Sequence, residues 1–231
     1  MTRSGAICAD AVAVRVATAA LRRSRLRTQA VWCMAEMLSW RFSGDDGEGL
    51  ESVRISPSAT GLRAVGRLIR GIPSGVLTAS YRLVVAADGT LSRLSVDVAT
   101  GDGEKQLTLS RSADGVWLVD DGSGGTRGGF SGACDVDLAF SPVFAALPIR
   151  RLRLHREPAE HVLPMVFVNL PDLAVEATEQ TYRTVKAAEG DESAVVAFSS
   201  GAVEAELTVD ADGFVLDGPG IGSRTSLDAR R

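Results

Sequence analysis

The chain has 231 residues and a net charge of −4, and 45% of its residues are hydrophobic and 23% are charged. This composition argues against a mainly disordered chain, and the charge predicts no nucleic-acid partner. Three widely spaced cysteines and two histidines argue against a disulfide scaffold or a zinc site, so we expect reduced thiols in the cytoplasm and no metal or other cofactor.

Residues 1–36 are predicted to be an extension that precedes the main domain. They contain six arginines and a long run rich in alanine and valine, which favours a helix from about Ala9 to Arg27. The segment is either an amphipathic arm or targeting presequence, or the product of a start codon placed too early, with translation beginning at Met34 or Met37. Its apolar run reaches Arg15 too soon for a membrane span of about 20 residues, and no secretory signal is recognisable.

From Trp40 onward, short alternating runs separated by turn dipeptides are typical of an antiparallel sheet. Four Asp-Gly pairs predict tight turns, since glycine accepts the positive φ that such turns require; they are Asp88-Gly89, Asp102-Gly103, Asp114-Gly115 and Asp212-Gly213. Strands are predicted near Ser39–Phe42, Glu51–Ile55, Leu62–Ile69, Ala79–Ala86, Thr90–Val98, Gln106–Ser110, Val116–Val119, Cys134–Phe140, His161–Asn169, Ala174–Thr178, Ala194–Phe198, Ala202–Val209 and Phe214–Leu216.

This number of strands predicts a mainly β domain over residues 37–226 whose sheet is curled or barrel-like, because open twisted sheets rarely exceed about 10 strands. Residues 227–231 form a tail. A curled sheet encloses an apolar interior, and only 5% of the residues are aromatic, so we expect a filler such as an inserted helix or a ligand. The glycine-rich segment 121–132 lacks the context of a phosphate loop and is predicted to be a hairpin or loop.

The segment 132–152, GACDVDLAFSPVFAALPIRRL, carries the candidate chemistry. Strand alternation places Asp135 and Asp137 on one face, about 6.5–7 Å apart at the backbone. Such a pair could act as acid and base in glycoside chemistry or share a cation. We favour the alternative that it is the solvent-facing side of a half-buried strand, or pairs with arginine across the sheet.

A helical segment is predicted after this strand. Ser141 has the character of an N-cap and Pro142 that of a first helical residue. Pro148 then leaves two alternatives, namely two short turns or one kinked helix from Pro142 to about Leu152. Beyond it, Leu152 and Leu154 alternate with polar residues in a strand-like pattern.

The apolar residues of the segment are predicted to face the interior. We expect this of Leu147, Ile149 and Leu152. Arg150 and Arg151 could clamp a phosphate or carboxylate in a bidentate manner, or form an internal ion-pair network with the two aspartates.

The residues CDVDLAFSPVFAALPIRRL resemble the signature of a bacterial family described as "putative glycolipid-binding", formerly a domain of unknown function. The resemblance extends from about Trp40 to Arg224 through WRFSGDDGEGLESVRI, YRLVVAADGTLSRLSV, ADGVWLVD, VFVNLPDLAVEATEQTYRTV and LTVDADGFVLDGPGIGSR. It implies a spiral β-roll, which is a highly curved antiparallel sheet wrapped around a single central helix involving Ser141–Leu152. Where the family usually has T-N-T before L-P-I-R-R-L, this chain has Phe144, Ala145 and Ala146.

The resemblance implies a non-catalytic binder of a lipid or glycolipid, whose apolar part enters the curved face and whose headgroup meets the polar rim. Its candidate ligand-binding residues are Asp135, Asp137, Arg150 and Arg151, and its structural motif consists of Pro142, Leu147, Pro148, Ile149 and Leu152. No residue is predicted to be catalytic or to bind a metal. Two alternatives stay open, namely an enzyme that uses the two aspartates and an interaction module without a small ligand. The oligomeric state is not predicted.

Overall fold

A computed structural model describes residues 35–43, 47–130 and 132–225, and these form one large sheet and one helix. The predicted helix near Ala9–Arg27 and the predicted tail lie outside the described residues. The strands are β1 (Glu36–Phe42), β2 (Gly49–Ser58), β3 (Gly61–Ile72), β4 (Gly75–Ala86), β5 (Leu91–Thr100), β6 (Gly103–Arg111), β7 (Trp117–Asp120), β8 (Thr126–Gly128), β9 (Asp135–Leu138), β10 (Glu160–Val168), β11 (Val175–Lys186), β12 (Ala194–Ser200), β13 (Val203–Val209), β14 (Val215–Gly218) and β15 (Gly222–Arg224).

The sheet has 15 strands in the order β8-β7-β6-β5-β4-β3-β2-β1-β15-β14-β13-β12-β11-β10-β9. Two meanders are therefore joined edge to edge where β1 pairs with β15. The segment before β9 crosses back over the first meander, because the Leu91 N–H donates to the Cys134 carbonyl oxygen at 2.9 Å. The predicted mainly β domain with a curled sheet around a helix is confirmed, and among the described residues the sheet does not close into a barrel.

All 13 predicted strands are present, and the four Asp-Gly turns have glycines with φ between 82° and 135°. Two strands of three residues each, β8 and β15, were not predicted, because alternation cannot be recognised over so short a run. The strand-like alternation of Leu152 and Leu154 after the helix does not correspond to a strand. Residues 152–156 form turns, in which Leu154 points inward and Arg153 has a φ of 57°.

One pair of strands departs from the antiparallel rule: β9 and β10 are parallel, with Asp135 opposite Met165. The helix α1 (Pro142–Arg151) lies between them in the chain. A connection through a helix returns the chain to the same end of the sheet, and the next strand then runs parallel. The crossover brings α1 into the interior of the roll.

The helix is continuous through Pro148, which decides between the two predicted alternatives. Every residue from Pro142 to Ile149 is buried, as expected of a helix that is apolar on all sides. It contributes to both apolar clusters of the core, with Phe144 in one and Ile149 in the other. The helix is therefore the filler that the low aromatic content required.

The interior-facing prediction holds for Leu147 and Ile149, which are buried, but Leu152 is only half-buried. Leu154 is fully buried in its place, because the chain turns directly after the helix. Ser141 stands at the N-cap, but its side chain makes no capping hydrogen bond. Its hydroxyl instead reaches a buried carboxylate on β2, which is described below.

Candidate functional site

Asp135 does not face solvent. It is 1% exposed, and both faces of β9 are covered in the curled sheet. Arg151 binds it with two donors, Nη2 at 2.5 Å and Nε at 3.2 Å from Oδ2. Burial raises the pKa of the Asp135 carboxyl, and the hydrogen bond and charge of Arg151 offset part of that rise. The pair ties the end of α1 to β9.

Asp137 has a different partner. Its Oδ2 accepts a hydrogen bond from Gln180 Nε2 at 2.7 Å, and the Tyr182 hydroxyl donates to Gln180 Oε1 at 2.9 Å. Gln180 and Tyr182 are both 1% exposed, so this chain of polar groups runs through the core. Burial raises the pKa of the Asp137 carboxyl to about 6, against the opposing effect of the Gln180 hydrogen bond.

Arg150 points away from both aspartates. Its guanidinium lies 4.3 Å from the ring centroid of Phe214 and donates to the backbone carbonyl of Asp212. These contacts hold the end of α1 against the β13–β14 turn. Of the four predicted site residues, the structure therefore brings Asp135 and Arg151 together, and it places Asp137 and Arg150 in separate contacts.

A third buried carboxylate, Glu51 on β2, was not predicted. It is 0% exposed, and its Oε1 accepts hydrogen bonds from the Tyr81 hydroxyl at 2.6 Å and the Ser141 hydroxyl at 2.5 Å. Its Oε2 has no hydrogen-bond partner among the described residues. Alternation could have revealed it, because Glu51 shares the inward face of β2 with Val53 and Ile55.

The surroundings of Glu51 connect two strands to the helix. Gly66 is opposite Tyr81 in the sheet, and a Cβ at Gly66 would come within 2.1 Å of the Tyr81 ring, so glycine leaves the space that this ring occupies. The ring also meets Phe144 of α1 edge-on, with centroids 5.2 Å apart. Glu51 therefore fixes the N-terminal end of the helix inside the roll.

We expect Glu51 to make stability depend on pH. Burial raises the pKa of its carboxyl to about 7 from an ordinary value of 4.5, although the hydrogen bonds from Ser141 and Tyr81 lower it. A raised folded-state pKa gives stability that is fully present below pH 4.5 and is lost as the pH rises through about 7. The difference corresponds to about 3 kcal/mol.

Urea unfolding of the native protein and of Glu51→Gln at several pH values measures this contribution. The amide oxygen can accept the same two hydrogen bonds but does not titrate, and all other carboxyls are common to both proteins. We expect the free energy of unfolding of the native protein to fall relative to the variant between pH 5 and pH 8, by about 3 kcal/mol. If the free energies of unfolding of the two proteins change with pH in parallel, Glu51 is not the source of the pH dependence.

An open groove lies at one end of the roll and has a volume of about 1320 Å³. Strands β2 to β6 border it near the β3–β4 and β5–β6 hairpins, and residues 172–174, between β10 and β11, border its other side. Its lining residues are Leu50, Ser52, Arg67, Leu68, Ile69, Thr78, Ala79, Ser80, Asp97, Val98, Ala99, Glu104, Lys105, Gln106, Asp121, Gly122, Asp172, Leu173 and Ala174.

The groove combines apolar and polar walls. Four of its apolar residues are buried members of the core, namely Leu68, Ala79, Val98 and Leu173. The first three are direct cross-strand neighbours whose side chains pack into the core behind the groove. The lining also contains four carboxylates against two cationic groups, and the amide of Gln106. Ile69, which is 49% exposed, adds accessible apolar surface, so the groove offers apolar contact together with many hydrogen-bonding groups.

In the part of the chain that the structure describes, no group of three or more His, Cys, Asp and Glu side chains is arranged to hold a metal ion. Among those same residues, no helix is long and apolar enough to cross a membrane.

Comparison with known proteins identifies the family to which the chain belongs. The sequence profile of the family described as "Putative glycolipid-binding" matches residues 37–224. No curated protein matches this chain. The crystal structure of a DUF1089 family protein from Pseudomonas aeruginosa is similar in fold, with a TM-score of 0.63 and 24% sequence identity, over 80% of this chain and 95% of that one. The chain thus belongs to the family described as "Putative glycolipid-binding".

Proposed function

We propose that this protein binds a lipid or glycolipid without catalysing a reaction, and that the ligand lies in the groove at the end of the roll. The observation that carries the proposal is a groove of about 1320 Å³ in which the half-exposed Ile69 lies among many hydrogen-bonding side chains. Small-molecule pockets are typically about 300–1,000 Å³. A groove beyond that range has room for an acyl chain and a headgroup together.

The polar walls favour an uncharged headgroup with many hydroxyls. Asp97, Glu104, Asp121 and Asp172 outnumber Arg67 and Lys105 in the lining. Carboxylate oxygens accept hydrogen bonds from sugar hydroxyls. The excess of negative charge repels an anionic headgroup. The lining contains no aromatic ring on which a sugar could stack, so recognition depends on hydrogen bonds.

In this proposal the interior of the roll is not the binding site. Helix α1 occupies it, and Phe144, Ala146 and Ile149 are at most 1% exposed. Asp135 with Arg151 and the contacts of Arg150 hold the helix in place. Leu147 and Phe144 of the helix belong to the same core cluster as Leu68, Ala79, Val98 and Leu173 of the groove lining, and the ligand contacts come from β2 to β6 and residues 172–174.

Thermal unfolding with a ligand panel tests the proposal. The panel compares a glycosyl diacylglycerol, the same diacylglycerol without its sugar, the free sugar, and phosphatidylglycerol with the same chains. A ligand at 100 times its Kd stabilises the folded state by about 2.7 kcal/mol. We expect the glycosyl diacylglycerol to give the largest rise in Tm, and native mass spectrometry to detect one bound molecule. A protein mass without ligand and an unchanged Tm across the panel would refute the proposal.

A further inference from the structure

The outward face of β1 to β5 differs in charge from the rest of the molecule. Outward positions alternate with the buried ones along each strand, and the cross-strand register places them in rows. One row runs Met37, Arg54, Val65, Arg82, and another runs Ser56, Arg63, Val84, Arg93. We call this surface the arginine face; its basic residues are Arg41, Arg54, Arg63, Arg67, Arg82 and Arg93.

The arginine face is basic and exposed. All six arginines are exposed, and Asp97 is the one acidic residue at the outward positions of these five strands. Among the described residues, none of the six forms an ion pair with a carboxylate. The face contributes a charge of +5 to a chain of net charge −4, so the remaining residues sum to −9. The charge is strongly segregated onto one side of the sheet.

Exposed aliphatic side chains lie among these arginines. Met37 is 62% exposed, Val65 48%, Ile69 49% and Val76 56%. Val65 stands directly between Arg54 and Arg82 in the sheet. Cationic groups that surround small apolar side chains match the interface of an anionic lipid layer, where phosphates meet the outermost acyl carbons. A duplex nucleic acid would use the arginines but would have no partner for the aliphatic groups.

We propose that the arginine face docks the protein on the surface of an anionic lipid membrane. Arg54, Arg63, Arg67, Arg82 and Arg93 contact lipid phosphates, and the exposed aliphatic groups insert among the headgroups. The argument rests on charge and exposure, so it stands without the proposed function. The two sites are nevertheless adjacent, because Arg67 and Ile69 belong to this face and also line the groove. A docked protein would hold the mouth of the groove against the lipid layer.

Co-sedimentation with vesicles tests this inference on the full chain. The face variant carries Arg54→Gln, Arg63→Gln and Arg82→Gln, none of which lines the groove. The control variant carries Arg153→Gln, Arg183→Gln and Lys186→Gln, which changes the net charge equally. These three control residues are exposed and lie outside β1 to β5 in ion pairs with Glu157, Glu160 and Glu192. Exposed pairs of this kind contribute little to stability.

We expect the native protein and the control variant to bind vesicles made of equal parts phosphatidylcholine and phosphatidylglycerol, and not vesicles of phosphatidylcholine alone. The face variant has three fewer basic residues to contact the anionic surface, so it should bind on the order of 100-fold more weakly. Binding should also fall when salt shortens the Debye length to about 3 Å. Circular dichroism establishes that both variants are folded.

Three results would overturn the inference. The first is no binding of the native protein to the anionic vesicles at low salt. The second is an equal loss of binding in the face variant and the control variant, which would indicate a dependence on net charge alone. The third is tighter binding to a duplex DNA of random sequence than to the vesicles, which would assign the face to a nucleic acid.

Discussion

We expect Arg151→Gln to lower the free energy of unfolding by about 3–5 kcal/mol at neutral pH. Arg151 supplies both donors that bind the 1%-exposed Asp135, and its own side chain is only 16% exposed. Removing the guanidinium leaves a carboxylate inside the protein without its counter-charge. The loss comes mainly from this stranded charge, because a buried pair as a whole contributes far less than the cost of breaking it.

The origin of the loss can be tested with pH and a second substitution. A stranded Asp135 takes up a proton at low pH, so the destabilisation by Arg151→Gln should shrink as the pH falls. Asp135→Asn in the same chain removes the charge and should restore part of the stability. Urea unfolding of the native protein, the two single variants and the double variant gives a double-mutant cycle for this pair. A loss below about 1 kcal/mol for Arg151→Gln would place the pair in the class of exposed ion pairs and contradict its assignment.

The second large effect concerns the helix inside the roll. Ile149 is 0% exposed and packs in the core cluster of the second meander. Large-to-small changes at such sites cost the transfer free energy of the lost groups and leave a cavity. We therefore expect Ile149→Ala to lower the free energy of unfolding by about 3.5–5 kcal/mol, in the upper part of the range for this type of change.

Leu152→Ala is the matched control, because Leu152 lies three residues further along and is only half-buried. Chemical denaturation of both variants compares them directly. We expect Leu152→Ala to cost less than half as much as Ile149→Ala. Equal losses at the two positions would show that α1 is not buried more deeply than the turn that follows it.

The local rules of the β-sheet made most of the fold predictable. Alternation and the Asp-Gly turns identified 13 of the 15 strands, since each depends only on neighbours in the sequence. The strand count and the scarcity of aromatic residues indicated a curled sheet with a filler. The course of the helix through Pro148 could not be decided locally, because the cost of a proline inside a helix is offset here by burial in the roll.

The partners of the polar side chains were not predictable from the sequence. Asp135 and Asp137 share a strand face, yet one binds Arg151 of α1 and the other binds Gln180 of β11. Which partner each one meets depends on the curl of the sheet and the path of the crossover. Glu51 meets Ser141, 90 residues further along the chain, for the same reason.

The arginine face illustrates the same limit for charge. The net charge of −4 predicts no anionic partner, because a sum over the whole chain contains no information on placement. Arg54 and Arg82 become close only when β3 lies between their strands in register. Strand pairing therefore converts an ordinary composition into a surface with a charge of +5.

The affinity of a soluble, short-chain neutral glycolipid for the native protein and for Thr78→Trp tests the proposed binding site most directly. Thr78 is exposed and lines the groove next to Ile69, so the indole of Trp fills the groove without disturbing the core. Val162→Trp is the control, at a 54%-exposed strand position outside the groove. We predict that isothermal titration calorimetry gives a Kd at least about 10-fold weaker for Thr78→Trp, a loss of about 1.4 kcal/mol, and an unchanged Kd for Val162→Trp. Equal affinities for all three proteins would contradict a ligand site in this groove.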